Sequence, residues 1–470
     1  MKYISTRGKA PALGFEDVLL TGLAEDGGLY VPESMPQFST DDIRAMRGLS
    51  YAELAHRVMT PFLGGALSEG DFRNILNDVY TGFGHEAVTP LVQMGADNWL
   101  LELFHGPTLA FKDVALQLIG PLFDHALSRQ NERVTIVGAT SGDTGSAAIA
   151  AFQGRERADI FILYPHGRVS DVQRRQMTTV KADNVHTLAL EGTFDDCQDM
   201  VKAMFADRKF QAEIKLGAVN SINWARVMAQ TVYYFWASLA LGGPDRPVAF
   251  TVPTGNFGDI FAGYVASSMG LPIEQLVIAT NENDILVRTL ETGTYAMDGV
   301  RQTLSPSMDI QISSNFERLL FDLYGREGSA IEQVMQDLKT KGRFSMGQGM
   351  CDDLKAQFRA GRTNDAGTKA TIHKIRQTTG MTIDPHTAVG VAVAEQIKLP
   401  AGVAMVTLAT AHPAKFPDAV EAATGYRPAL PPALADLHER EEHITILPND
   451  LGKVQDYIRS RARIAEEVAS

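Results

Sequence analysis

A chain of 470 residues with 45% hydrophobic and 21% charged side chains is long enough for two or three domains at roughly 150 residues each. It can bury a sizeable core, which excludes a stapled mini-protein and global disorder. The 43 basic and 56 acidic residues leave a net charge of −13, which excludes a basic field for a nucleic-acid backbone and repels anionic metabolites at long range.

In chain order, Met1 to Gly8 lacks an apolar signal region, and no later run is long and apolar enough to span a membrane. The only cysteines, Cys197 and Cys351, have no CxxC partner and are too few for a disulfide framework, so a reducing, cytoplasmic setting is expected. Residues 1–88 are rich in turn formers, such as Glu25-Asp26-Gly27-Gly28, around amphipathic helices predicted over Asp41 to Ala55 and Ser68 to Tyr80. From about Val88, apolar β-rich runs are followed by glycine-rich turns and small-residue helices, the alternation of a parallel sheet covered on both faces. The strands predicted are Val134 to Val137, Ile160 to Leu163, Val248 to Val252 and Val403 to Leu408. Ligands of such sheets collect where these strands end.

Lys112 follows Leu109-Ala110-Phe111 and precedes Val114-Ala115, neighbours that leave little polar surface. A desolvated amine is a better nucleophile or base and can form a Schiff base; the other reading is an ion pair with Asp113 or Glu102. Gly138 to Ala148 (GATSGDTGSAA) lies between a strand and an Ala-rich helix, where glycines, hydroxyls and free N–H groups suit an anion. It has neither the GxGxxG spacing of a dinucleotide site nor a P-loop lysine. Val219 to Arg226 (VNSINWAR) opens a long helix running to about Leu241; Asn220, Ser221 and Arg226 are candidate donors to an anion, against a plain N-cap at Ser221 or Asn223. Pro253 to Asp259 (PTGNFGD) repeats the anion-cradle pattern before a helix at Ile260 to Met269.

Residues 284 to 378 are read as part of an outer helical shell, with helices at Phe316 to Tyr324 and Ala330 to Lys341. After the last strand, Thr410 offers a hydroxyl that can face an aromatic ring nitrogen without protonating it. His412 is read as a base, a ligand or a structural hydrogen-bonder, and Lys415 as an anion-site charge or a surface lysine. Asp450 to Glu467 reads as a charged amphipathic helix docked on the surface.

Together these motifs resemble the fold-type II pyridoxal-phosphate enzymes, most closely the threonine synthase family of the longer bacterial and fungal type. His105 to Asp113 resembles the cofactor-lysine motif, Thr140 to Gly145 the substrate-anion loop and Gly255 to Gly258 the cofactor-phosphate loop; Asp26 to Pro32 and Ala409 to Pro413 extend the likeness over nearly the whole chain. The resemblance implies an α/β, tryptophan-synthase-β-like enzyme with two open, mostly parallel sheet domains and a helical N-terminal subdomain. The expected division is 1–88, a catalytic region over 89–425 with the site between its two sheet subdomains, and a C-terminal extension over 426–470.

The implied reaction converts O-phospho-L-homoserine and water to L-threonine and phosphate. Lys112 would carry the cofactor as a Schiff base and shuttle protons at Cα and Cβ. Cofactor binding would fall to Lys112, Asp143, Gly255, Asn256, Phe257, Gly258, Asp259 and Thr410, and substrate binding to Ser141, Thr144, Asn220, Ser221 and Arg226, with no metal. Asp143 stands where many relatives of the wider fold have Asn. An ionised Asp beside the ring's phenolate is repulsive unless the two share a proton, and organising the loop backbone is the other reading. A related dehydratase or phospho-lyase releasing 2-oxobutyrate, and a non-catalytic cofactor-binding regulator, are the alternative functions. A monomer or homodimer without nucleic-acid or membrane partners is expected.

Overall fold

A computed structural model describes residues 1–463, and the chain divides into two compact units. The first holds residues 1–18, 23–111 and 221–428; the second holds 19–22, 112–220 and, among the described residues, 429–463.

The first unit is built on a six-stranded sheet in the order Phe358–Arg362, Ile273–Thr280, Val248–Pro253, Ala404–Ala409, Asn98–Glu102, Leu91–Gln93. All neighbours pair in parallel except the last two, which are antiparallel. Every residue of Val248–Pro253 is buried, as in a strand covered on both faces. Successive side chains divide the labour. Phe250 meets Tyr234 of the helix Trp224–Ala240 with ring centroids 4.8 Å apart, whereas Ala249 packs with Val389 and Val393 of the helix Pro385–Ala394.

The N-terminal residues are tied into this unit. The Tyr3 hydroxyl donates to Phe62 O at 2.8 Å, and Thr6 and Arg7 both donate to the Glu317 carboxylate. The helix expected over Asp41 to Ala55 is instead two, Thr40–Arg44 and Tyr51–Leu63. Gly48 at φ +79° breaks the chain, and Ser50 starts the second helix through a reciprocal capping box with Glu53. Residues 284–378 hold more than helices: Phe358–Arg362 is an edge strand paired with Leu276–Thr280. Its sequence, FRAGR, has no β-branched residue, and its register comes from the neighbouring strand.

The second unit carries a five-stranded, wholly parallel sheet in the order Thr445–Pro448, Val185–Glu191, Ala158–Pro165, Val134–Ala139, Leu216–Gly217. The expected C-terminal helix forms over Leu451–Arg461, capped by Asp450, and sends Val454 and Ile458 into a core with Phe161, Leu188 and Met204. Residues 464–467 of that expectation lie outside the described residues. No described helix is long and apolar enough to cross a membrane.

Candidate active site

In the second unit, Lys112 begins the helix Lys112–Gln130 and is buried, with Nζ 3.5 Å from Asp143 Oδ2. Of the two carboxylates offered by sequence, Glu102 faces His105 Nε2 at 2.8 Å, and Asp113 accepts from Gln117 Nε2. The loop carrying Asp143 is fixed by side chains. Thr140 Oγ1 accepts from the N–H groups of both Gly142 and Gly145 at 2.9 Å, and Gln173 Nε2 donates to Asp143 Oδ1 at 2.8 Å. Gly142 sits at φ +140°, and a Cβ there would fall 2.4 Å from the Gln173 side chain, so only glycine fits. Thus Asp143 faces the lysine and is oriented by Gln173, as a counter-charge would be. The hydroxyls of Ser141 and Thr144, both half-buried, have no hydrogen-bond partner among the described residues. Asn220, the last residue before the first unit resumes, is exposed.

In the first unit, Gly255 to Gly258 forms the turn from the strand Val248–Pro253 into the helix Gly258–Ser268. Phe257, the N-cap, is held at φ 64°, ψ −2°, a left-handed conformation costing a non-glycine residue about 1–2 kcal/mol. Its buried ring, packed 5.2 Å from Phe316 and 5.8 Å from Phe358, offsets that with roughly 1.5–3 kcal/mol of burial. A Cβ on Gly255 would lie 2.7 Å from Ser307 O, so the backbone must run bare there. The Asp259 carboxyl is turned away to accept from the hydroxyls of Tyr233 and Tyr234, so toward an anion Asp259 can offer only its N–H at the helix start. Burial and that carboxylate push both phenols well above their ordinary range.

Asn223, not Ser221, caps the helix Trp224–Ala240, accepting from Ala225 N at 3.0 Å. Arg226, two positions into that helix, is 4% exposed, and its guanidinium has no hydrogen-bond partner among the described residues; Nη1 is fully buried. Burial pulls it down to about 10. A buried cation without a partner is costly, which argues for an anion that arrives with a ligand.

Thr410 is buried, its backbone held on both sides: its carbonyl accepts from Phe111 N at 2.8 Å and its N–H donates to Thr387 Oγ1 at 3.2 Å. Its own hydroxyl has no partner among the described residues. Sequence reading missed the group behind this hold. Asp384 caps the helix Pro385–Ala394 and accepts from the Thr387 hydroxyl and from His386 Nδ1 at 2.9 Å, while His386 Nε2 accepts from Ser307 N at 3.2 Å. The tautomer is therefore fixed, with the proton on Nδ1. An Asp directly before a helix-starting Pro was the available signal. Lys415 is fully buried rather than on the surface and donates to Thr108 O at 2.5 Å. His412 accepts from Ala414 N through Nδ1, and burial pushes it down to about 4, so it serves as a neutral hydrogen-bonder.

Two glycine turns at strand ends, a buried lysine and a free hydroxyl at another strand end define the class, and the sequence profile described as pyridoxal-phosphate dependent enzyme matches residues 83–337. The chain is a pyridoxal-phosphate-dependent enzyme. On either side, profiles described as threonine synthase N terminus and threonine synthase, C-terminal match residues 2–80 and 387–458. The chain is 57% identical to threonine synthase of Pseudomonas aeruginosa over 459 residues, covering 97% of this chain and 98% of that protein. A crystal structure of PLP-bound threonine synthase from Brucella melitensis superposes with a TM-score of 0.96 at 58% identity, over 98% of this chain and all of that one. The yeast threonine synthase structure gives 0.94 at 42% identity, over 98% of each chain. The chain belongs to the threonine synthase family.

Proposed function

We propose the following division of labour for the reaction this lyase catalyses, the conversion of O-phospho-L-homoserine and water to L-threonine and inorganic phosphate. The residues fit the cofactor: Lys112 is a buried amine, the Phe257 N–H at the helix start has no partner among the described residues, and Thr410 has an open hydroxyl. Bound pyridoxal phosphate supplies an electron sink that makes protons at Cα and Cβ removable. Lys112 holds the cofactor and moves the protons, taking one from Cα and one from Cβ, and returning one to Cγ once phosphate has left it and one to Cα once the hydroxyl of water has added at Cβ. Gly255 to Gly258 and the Asp259 N–H take the cofactor phosphate at the helix start. Thr410 faces the ring nitrogen as a neutral donor, and Asp143 balances the Lys112 charge. Ser141 and Thr144 hold the substrate carboxylate, and Asn220, Ser221 and Arg226 its phosphate.

The observation that carries the phosphorylated substrate is Arg226, a buried guanidinium with no hydrogen-bond partner among the described residues. The division into 1–88, 89–425 and 426–470 follows the same assignment; the profile boundaries near residues 80 and 83 support its first cut, while the C-terminal profile, 387–458, runs across the second. Two buried, free thiols support a cytoplasmic setting and the acidic net charge the expectation of no nucleic-acid partner, and the assembly expected is a monomer or homodimer.

Borohydride trapping of the holoenzyme followed by peptide mass spectrometry tests the lysine. The label is expected on the peptide bearing Lys112, and Lys112→Ala is expected to lose both label and at least about 1,000-fold in turnover, the scale of removing a principal catalytic group. A label elsewhere, or 2-oxobutyrate in place of threonine as product, overturns the assignment.

A further inference from the structure

Between the two phosphate-binding segments assigned above lies one side chain that touches both. Asn315, fully buried just before the helix Phe316–Leu323, donates through Nδ2 to Ser221 O and to Asn256 O, each at 3.1 Å, and its own N–H also donates to Asn256 O at 3.1 Å. Its amide cannot be turned round, because Oδ1 accepts from Arg318 Nη1, and a guanidinium only donates. Arg318 is itself wholly buried and reaches the same segment, donating through Nη2 to Ile222 O at 2.5 Å, while Nε and Nη2 donate to Tyr30 O at 3.1 and 3.0 Å. The neighbouring Ser313 hydroxyl donates to Gly255 O. Five hydrogen bonds thus fall on four carbonyls of the two segments, those of Ser221, Ile222, Gly255 and Asn256.

Carbonyl oxygens repel phosphate, and in a trans peptide the N–H points opposite the C=O. Gripping the Ser221 and Asn256 carbonyls therefore fixes the direction of the Ile222 and Phe257 N–H groups, neither of which has a partner among the described residues. Phe257 makes this control matter, since its left-handed φ of 64° is where the peptide plane turns. We propose that Asn315, locked by Arg318, is a positioning residue for both phosphate-binding segments, fixing at once the peptides that take the cofactor phosphate and the substrate phosphate. The proposal rests on the loop assignments made above and adds that the two loops share one brace.

The test is Asn315→Asp and Asn315→Ala in the full-length enzyme. Asp keeps the shape and strengthens the contact with Arg318 but cannot donate to either carbonyl; Ala removes the donor without adding charge. Three quantities are read: the dissociation constant of pyridoxal phosphate by absorbance titration of resolved enzyme, the inhibition constant of inorganic phosphate, and KM against kcat. Both variants are expected to weaken cofactor and phosphate binding together, each by about tenfold, with kcat within about threefold of the parent and melting of both lowered, because each leaves two buried carbonyls unpaired. A general loss of stability would lower the folded fraction and leave these constants alone.

Constants within about twofold of the parent in either folded variant, a shift at one loop only, or failure of both variants to fold would overturn the shared brace. Arg226→Ala, run alongside, separates the two levels. If it leaves KM unchanged, the substrate-phosphate assignment fails; if it raises KM while the Asn315 variants do not, the brace alone fails.

Discussion

Arg226 and Arg318 are both buried in the first unit, 4% and 0% exposed, and burial pulls both below the ordinary guanidinium range, to about 10 and about 9. What separates them is where their donors go. Arg318 spends its donors on Tyr30 O, Ile222 O and Asn315 Oδ1 and lies 5.6 Å from the centre of the Trp224 ring. The Arg226 guanidinium has no such partner among the described residues. Depth alone therefore does not mark a functional cation. A closed set of bonds marks architecture, and an open set marks a place where a ligand completes the site.

The comparison breaks most readily on stability. Arg318→Met should destabilise the protein by about 3–5 kcal/mol, because it strands three buried acceptors at once. Arg226→Met removes a cation the fold does not satisfy and should be neutral or stabilising by about 1–4 kcal/mol in the absence of ligand. Urea unfolding of the two variants gives the answer directly; equal losses would mean that Arg226 has an internal partner and that the distinction is false.

The next effect is on binding. Arg226→Ala should raise KM for the phosphorylated substrate by about 30-fold or more, since truncating one partner of a buried charged pair costs roughly 2–5 kcal/mol. If the lost interaction is equally strong in ground and transition states, kcat stays near its parent value. Cofactor content should not change, which steady-state kinetics and the absorbance of the same sample can show together. A KM within twofold of the parent would place Arg226 among the structural arginines after all.

Much of this was legible in the chain, for identifiable reasons. The strands at 134, 160, 248 and 404 are runs of apolar residues buried on both faces, and such runs announce themselves. Lys112 was flagged by its greasy neighbours, and it is buried as expected. What escaped was whatever depends on contact across large sequence separations. Phe358–Arg362 is a strand only because Ile273–Thr280 lies beside it. Asp384, Asn315 and Arg318 look like ordinary helix-start residues and acquire their roles through partners 26, 59 and 96 positions away or thereabouts: Asp384 through Thr387 to Thr410, Asn315 at Asn256, and Arg318 at Ile222. Of the two readings open for Lys415, the surface one falls for the same reason, since its partner Thr108 is 307 residues away.

A third ionisable group, partly buried, tests the same distinction by acid. His412 uses Nδ1 to accept from Ala414 N at 3.2 Å, and its ring meets Phe104 edge-on at 5.5 Å. Protonation would place a donor against a donor in an apolar setting, so the folded protein holds the ring neutral down to about 4, against 6.5 when free. Glu102 and Asp384 pull the value up and His105 and Lys415 push it down, but burial outweighs them. Between about 4 and 6.5 the unfolded chain binds the proton and the folded one does not. Stability conferred by the neutral ring is therefore complete above pH 6.5 and is lost as the pH falls toward 4, by up to about 3 kcal/mol. His412→Asn keeps a side-chain acceptor for Ala414 N but cannot titrate. Its unfolding midpoint in urea should track the parent at pH 7.5 and fall less steeply between pH 6.5 and 4.5, with the carboxylates common to both proteins cancelling in the difference. Parallel pH profiles would show that the imidazole charges in place, and that its bond to Ala414 is not the closed contact described here.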